Sequence, residues 1–272
     1  LSADTHDPVL KHHFDNLEQQ HSAERLGMWM FLATEVLFFA GLFCAYTVYR
    51  WKNPVEFELA SSHLILWIAA VNTALLITSS VTATFAIRAA QLGDQPGLRR
   101  YLWLTFLLGA GFMGFKAYEY LTDYHERLVP GPIFQQDLDA AVKEWARIQA
   151  MPAGAERDKA AGEFGHMFGP ASVDLARRNF GKSAADPDYV NPGRVQLFLC
   201  FYYIMTGIHG VHILVGLGCL LWLINEARRG MIPPQNYSTV EVVSLYWHLV
   251  DMIWLFLMPL LYLAGASMRG GH

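Results

Sequence analysis

Apolar residues in this chain gather into long unbroken runs. Leu26 to Tyr49, Leu64 to Ile87 and Val195 to Ile224 are nearly free of charge, and each reaches the ~20 residues a helix needs to cross a bilayer. Two further runs are interrupted. Tyr101 to Leu121 carries Lys116 and Glu119 near its end, and Val240 to Gly265 carries Glu241 near its start and Asp251 towards its middle. The pattern predicts an all-α polytopic membrane protein, a bundle of five transmembrane helices with a small external loop subdomain. A polar tail occupies residues 1–25, the first three helices fall within 26–121, an external insertion fills 122–194, and the last two helices and a C-terminal tail occupy 195–272.

Inside the insertion, Leu138, Ala141, Val142, Trp145 and Ile148 recur at helical spacing and predict one amphipathic helix before Met151-Pro152. Its apolar face must rest on a surface, whether lipid, this protein or a partner. Pro130-Gly131-Pro132 and Asn191-Pro192-Gly193 supply turn chemistry at the two ends. No internal repeat is present, which counts against a transporter built from inverted repeats.

Composition supports the membrane reading. Hydrophobic residues make up 53% of the chain and charged residues only 16%, against roughly 25% charged in soluble domains. The formal charge of -4 is spread without a basic stripe, so no nucleic-acid partner is expected. Lys11, Arg25, Arg88, Arg99, Arg100, Arg228 and Arg229 fall on one side of the five spans, and Arg50, Lys52 and Arg269 in the short segments of the other. With the long third loop left out, the positive-inside rule puts the N-terminus in the cytoplasm and the C-terminus and the insertion outside. Cys44, Cys200 and Cys219 lie within apolar runs without close pairing and are expected to be buried, inert thiols. The first 25 residues, with His6, His12, His13 and His21, resemble no secretory signal. Insertion through the first span is expected, the histidines belonging to a solvated tail or, alternatively, binding a metal.

Within the first run stands Glu35. At ~1.5 Å per residue from Leu26 it lies ~13 Å into a hydrocarbon core ~30 Å thick, where an acidic residue costs roughly 2.5–3.5 kcal/mol on insertion scales. Such a group is protonated, faces another helix or lines a polar cavity. Asp251 comes out at ~16 Å and His212 at ~18 Å from the same side, so the three fall in one layer. His209 and His212 share a helix face flanked by Gly207, Gly210, Gly216 and Gly218, which let a neighbouring helix approach. Glu241, Ser244, His248 and Asp251 form one polar stripe that must face protein or water. The bland reading has each histidine donating to a backbone carbonyl and Asp251 capping His248. Against it stand a proton path through Glu35 and a haem held between His212 and His248. Lys116 and Glu119 read as an ion pair with Lys116 snorkelling outward. Tyr49, Trp51, Tyr101, Trp103, Tyr118, Tyr120, Tyr237 and Tyr262, close to span ends, read as interface belts.

Three segments carry a family likeness: Glu24-Arg-Leu-Gly-Met on through Thr34-Glu-Val-Leu-Phe-Phe-Ala-Gly41; Gly207-Ile-His-Gly-Val-His-Ile-Leu-Val-Gly216; and Tyr246-Trp-His-Leu-Val-Asp-Met-Ile-Trp-Leu-Phe256. They closely resemble subunit III of the haem-copper terminal oxidases, of the cytochrome c oxidase type, in its five-helix bacterial variant. Val71-Asn-Thr-Ala-Leu-Leu76 and Lys116-Ala-Tyr-Glu-Tyr120 fit the same order. The resemblance implies an accessory subunit of an enzyme complex that reduces O2 to water and pumps protons, in the bacterial inner membrane. It implies no catalytic residue, metal or cofactor in this chain, haem and copper being held by partner subunits. The main partner would be subunit I, joined by subunit II and a small subunit IV where one is present. Phospholipids would bind in a cleft, and the chain would support proton uptake. Glu35 matches the family's carbodiimide-reactive carboxylate, and His209, His212, His248 and Asp251 match motif positions in the later helices.

Two departures matter. Mitochondrial-type members have seven helices, whereas this chain shows five spans and resembles the shorter bacterial variants that lack the first two, so the cleft and its lipids are expected to depend on another chain. The insertion at 122–194 is foreign to the common pattern and is expected to dock a cytochrome c domain or an associated respiratory complex. Subunit III of a quinol oxidase, the related protein that accompanies nitric oxide reductase, a haem-b membrane anchor and a stand-alone proton transporter stay open as alternatives.

Overall fold

An apolar solvent offers nothing to a free peptide N–H or carbonyl, and each one left unpaired costs several kcal/mol, so apolar runs become uninterrupted helices. The structure, a computed structural model, describes residues 16–233 and 237–265. His6, Lys11, His12, His13 and Arg269, which entered the reading of the tails, lie outside the described residues. The described residues form nine helices: α1 (Leu17–Lys52), α2 (Pro54–Ser62), α3 (Leu66–Gln91), α4 (Gln95–His125), α5 (Pro132–Gln149), α6 (Ala155–Met167), α7 (Pro170–Arg178), α8 (Pro192–Arg228) and α9 (Ser238–Tyr262).

Four of them, α1, α3, α8 and α9, are long and apolar enough to cross a membrane. Helix α4, over the interrupted run Tyr101 to Leu121, is 31 residues long but carries Arg99, Arg100, Lys116, Glu119 and Asp123. Polarity is distributed as in a membrane protein: Leu37, Trp29, Val211 and Leu214 are exposed, while Ser79, Thr105, His209 and Asp251 are buried. Cys44 is exposed and Cys200 and Cys219 are half-buried. The expected burial of the thiols is therefore corrected: lipid is as apolar as a helix interface, so no hydrophobic force draws an apolar thiol inward.

Helix ends follow local chemistry. After α3, Gly93 takes φ 72°, the Asp94 N–H returns to the Ala89 carbonyl at 2.9 Å, and Asp94 Oδ1 accepts from the Gly97 N–H of α4 at 3.0 Å. Helix α8 closes with Gly230 at φ 70° and the Met231 N–H on the Glu226 carbonyl at 3.1 Å. Both are glycine-terminated ends that satisfy carbonyls the helix leaves open. The turn chemistry read at the insertion's borders starts α5 at Pro132 and α8 at Pro192; Asn191 Oδ1 accepts from the Gly193 N–H at 2.9 Å.

The chain divides into two compact units, Leu1–Phe43 with Asn72–Met113 and Ile208–Leu255, and Cys44–Val71 with Gly114–Gly207 and Phe256–His272. In the first, Phe39, Phe112, Trp247 and Trp254 are fully enclosed. In the second, Tyr46, Phe57 and Phe198 pack together, and the Tyr46 hydroxyl donates to the Leu260 carbonyl at 2.6 Å.

The insertion contains three helices where one was expected. Helix α5 lays Ala141 and Ile148 against Phe164 of α6 and Val173 and Ala176 of α7, with Trp145 and Phe168 at the edge. The surface left open by the sequence is thus this chain's own α6 and α7. Arg177 lies over the rings of Trp145 and Phe164, at 5.3 and 5.6 Å. Asp137 accepts from the Gly169 N–H at 2.8 Å and pairs with Arg127. Because this core is small, Phe164→Ala is expected to remove about 3–5 kcal/mol of its packing and to open the α5–α6 link near Met151 to limited proteolysis. Cleavage no faster than in the wild type would show that these helices do not depend on that core.

Candidate functional site

Glu35 on α1 meets His212 on α8: Glu35 Oε2 lies 2.9 Å from His212 Nε2, and the two side chains are 18% and 20% exposed. The other ring nitrogen, Nδ1, is 2.9 Å from the Ile208 carbonyl. A carbonyl only accepts, so Nδ1 carries a hydrogen. One further proton then lies between Glu35 and Nε2, as a neutral carboxylic acid donating to neutral imidazole or as imidazolium donating to carboxylate. Either way the pair has zero net charge. This removes much of the penalty that made Glu35 conspicuous. Phe39 sets its ring edge to His212 at 5.4 Å between centroids, and the Tyr246 hydroxyl donates to the His212 carbonyl at 3.1 Å.

Asp251, expected in the same layer, goes elsewhere. Its Oδ2 accepts from Ser79 Oγ of α3 at 3.2 Å, and His248 Nδ1 lies 2.6 Å from Ser80 Oγ. The polar stripe of α9 is met by two consecutive serines, and Asp251 does not cap His248. The polar groups expected in one layer form two separate contacts, Glu35–His212 and the serine pair with α9. His209 is fully buried, stacked on Trp254 at 5.4 Å and edge-on to Phe112 at 5.7 Å. Since His212 Nε2 faces Glu35 and its Nδ1 faces the Ile208 carbonyl, haem ligation by His212 would first have to break one of these bonds. Among the described residues, no group of three or more His, Cys, Asp and Glu side chains could hold a metal.

Trp247, which the sequence offered only as part of a family segment and without a role, fixes this region. Its Nε1 donates to Ser79 Oγ at 2.9 Å, so Ser79 serves both the indole and Asp251. The ring fills a slot between Gly109 of α4 and Gly216 of α8: a Cβ added at either would stand 2.5 or 2.8 Å from its carbons. Of the four α8 glycines expected to admit a neighbour, Gly216 does so, for a tryptophan side chain. Gly207 and Gly218 have nothing within 4 Å, and Gly210 meets only Met113 at 3.9 Å.

A second polar cluster lies wholly within the other unit. Lys116 Nζ is 2.9 Å from Glu119 Oε2, 2.9 Å from the Tyr262 hydroxyl and 3.2 Å from that of Tyr202. Glu119 Oε1 accepts from Tyr262 at 2.7 Å and from Tyr202 at 3.0 Å. Asp123 Oδ2 lies 3.2 Å from the same Tyr202 hydroxyl, whose single hydrogen can serve only one of the two carboxylates at a time. The ion pair is therefore present, but Lys116 is 5% exposed and Glu119 fully buried, so the expected snorkelling is corrected. With a carboxylate and phenols beside it, the ammonium is better solvated inside. Tyr262, also fully buried, and Tyr120, bonded to Thr206 Oγ1 at 2.7 Å, are not belt residues. Tyr49, Trp51 and Tyr118 do face outward.

The family model described as cytochrome c oxidase subunit III matches residues 11–125 and 195–266, leaving out the segment that holds α5–α7. Cytochrome c oxidase subunit 3 of Thermostichus vulcanus is 26% identical over 250 residues, 92% of this chain and 91% of that protein. Cytochrome c oxidase subunit 3 of Bacillus sp. strain PS3 is 28% identical over 244 residues, 88% of this chain and 85% of that one. Quinol oxidase subunit 3 of Bacillus spizizenii is 24% identical over 243 residues, 88% and 86% of the two chains.

Proposed function

The chain belongs to the cytochrome c oxidase subunit III family, and on that premise we propose that it is the accessory subunit of a proton-pumping terminal oxidase, packed against subunit I and sustaining that subunit's turnover without a redox centre of its own. The observation that carries this is the Glu35–His212 contact. It is a one-proton pair in an apolar helix layer, able to keep a proton at zero net charge. In this reading haem and copper belong to the partner subunits, phospholipid fills the space beside Glu35, and the chain supports proton uptake by subunit I.

Helix α4 is the fifth crossing, its charges tolerated because Lys116 and Glu119 neutralise each other within the protein. The N-terminus is cytoplasmic, while the C-terminus and the α5–α7 insertion are periplasmic, where the insertion meets a respiratory partner. The membrane is the bacterial inner membrane. Cytochrome c is the electron donor in the favoured reading. The similarity to a protein named quinol oxidase subunit 3 supports quinol as the second, and the haem spectrum and subunit composition of the purified complex separate the two.

In the assembled oxidase, Glu35→Gln is expected to leave the initial rate of oxygen reduction within about twofold of wild type, on the order of 0.4 kcal/mol in barrier, while activity decays sooner over repeated turnovers. Oxygen-electrode traces from the first seconds to many turnovers make the comparison. Loss of the first turnovers would assign Glu35 to the chemistry itself and overturn the reading.

A further inference from the structure

Lys116, Glu119 and Asp123 follow one another at helical spacing on one face of α4, and all three are buried. The two carboxyl groups are not equally served. Glu119 Oε2 has the Lys116 ammonium at 2.9 Å, and Glu119 Oε1 has the hydroxyls of Tyr262 at 2.7 Å and Tyr202 at 3.0 Å. Asp123 is 1% exposed, yet its Oδ1 has no hydrogen-bond partner among the described residues. Its Oδ2 lies 3.2 Å from the Tyr202 hydroxyl and 3.4 Å from that of Tyr203. Lys116 is matched by Glu119, so an ionised Asp123 would leave the cluster with one negative charge in excess. Burying an unpaired charge costs far more than burying a neutral carboxyl with one unpaired oxygen.

Counting hydrogens leads to the same place. Tyr202 has one hydrogen, Glu119 is the nearer of its two carboxyl neighbours, and a phenol that donates to Glu119 has its oxygen ready to accept from a protonated Asp123. We propose that Asp123 is a proton-binding site, holding one exchangeable proton at the end of α4 that leads into the insertion, with Tyr202 as the group that turns when the proton leaves. In the protonated state the Asp123 Oδ2–H donates to the Tyr202 oxygen, and the Tyr202 hydrogen points to Glu119. When water takes the proton from Oδ2, the Tyr202 hydrogen rotates to the new carboxylate, and Glu119 keeps Tyr262 and Lys116. The Oδ2–H bond alone is broken, and its proton goes to water. That route is short: Glu126, one turn further along α4, is half-buried, and Tyr124 and His125 are exposed. The charged and titratable groups that act on Asp123 are Lys116, Glu119, Tyr120 and Glu126 on its own helix, Tyr202 and Tyr203 on α8 and Tyr262 on α9. The site shares no residue with the Glu35–His212 contact, and only the side of the membrane it serves rests on the orientation proposed above. Its failure would leave the subunit reading standing.

The test uses the assembled complex and infrared spectroscopy, which separates the C=O stretch of a neutral carboxyl from the bands of a carboxylate. At neutral pH, subtracting the spectrum of Asp123→Asn from that of wild type is expected to leave the band of one neutral carboxyl, shifted in D2O. At alkaline pH the same subtraction should leave carboxylate bands. Tyr202 is a donor to the ionised Asp123 and only an acceptor to the neutral one, so Tyr202→Phe should move this conversion upward by about one pH unit, a tenfold tighter hold on the proton. If Tyr202→Phe does not assemble, the wild-type spectrum decides: the C–O band of a tyrosine must change in step with the carboxyl conversion as the phenol exchanges its acceptor. Asparagine has nearly the shape of the neutral acid and can donate to the Tyr202 oxygen, so Asp123→Asn should assemble to the wild-type level. Carboxylate bands at neutral pH, a neutral band that does not convert at alkaline pH, a conversion that leaves tyrosine unmoved or is unmoved by Tyr202→Phe, or loss of assembly in Asp123→Asn would each overturn the proposal.

Discussion

Lys116→Met is expected to destabilise the folded subunit by about 3–5 kcal/mol, the cost of leaving a buried charge without its partner. Methionine fills nearly the same volume, so the loss is electrostatic rather than a cavity. Glu119 would still accept from Tyr262 and Tyr202, but no cation would remain 2.9 Å from its other oxygen. The second substitution Glu119→Gln should then restore the greater part, because it removes the stranded charge and keeps an acceptor for the phenols. Thermal unfolding of the complex, with retention of this subunit through purification, measures both. A Lys116→Met variant within 1 kcal/mol of wild type, on the order of an exposed ion pair, would mean that the ammonium reaches water after all.

Trp247→Ala is expected to cost a similar amount, about 3–5 kcal/mol for a fully buried aromatic. It would empty the slot between α4 and α8 and take away the indole that donates to Ser79. The converse change crowds the slot: Gly216→Ala puts a methyl group 2.8 Å from the ring and should cost about 1–3 kcal/mol. On the Trp247→Ala background the same methyl would enter empty space and cost little, so the two changes should be strongly non-additive. A double-mutant cycle on the purified complex reads this coupling. Simple additivity would show that α4 and α8 move apart without the indole and that the slot is not what joins them.

Pairing across the chain was only partly legible. Glu35 and His212 are 177 residues apart, yet counting residues from the span ends put both at similar depth, because helix rise is fixed. Depth alone could not say that they touch, nor that Asp251 turns to Ser79, since rotation about a helix axis is set by neighbours. Ser79 and Ser80 were a readable sign of a polar partner, but Asn72, Thr73, Thr78, Thr82 and Thr84 in the same run offered competing ones. Lys116 and Glu119 were legible as a pair from their spacing. Their burial was not, because it depends on Tyr202 and Tyr262, residues 86 and 146 positions further on. Gly216 stood out among other glycines on α8, and Gly109, which makes the tighter half of the slot, stands with Gly111 and Gly114 on α4, a similar setting that gave no sign of which glycine admits a neighbour.

In the insertion, α5 announced itself by a strongly amphipathic face. Helices α6 and α7 are short and rich in charge, alanine or glycine, so they are stabilised chiefly by the packing they share with α5. The amino-acid sequence by itself determined the long apolar helices, their approximate ends and the family, because each rests on local pattern: twenty apolar residues, a turn glycine, a motif in one stretch of chain. Tertiary structure alone decided which polar groups meet. A carboxylate or an ammonium in an apolar layer must find a counter-group, and which one it finds depends on how the helices rotate and pack.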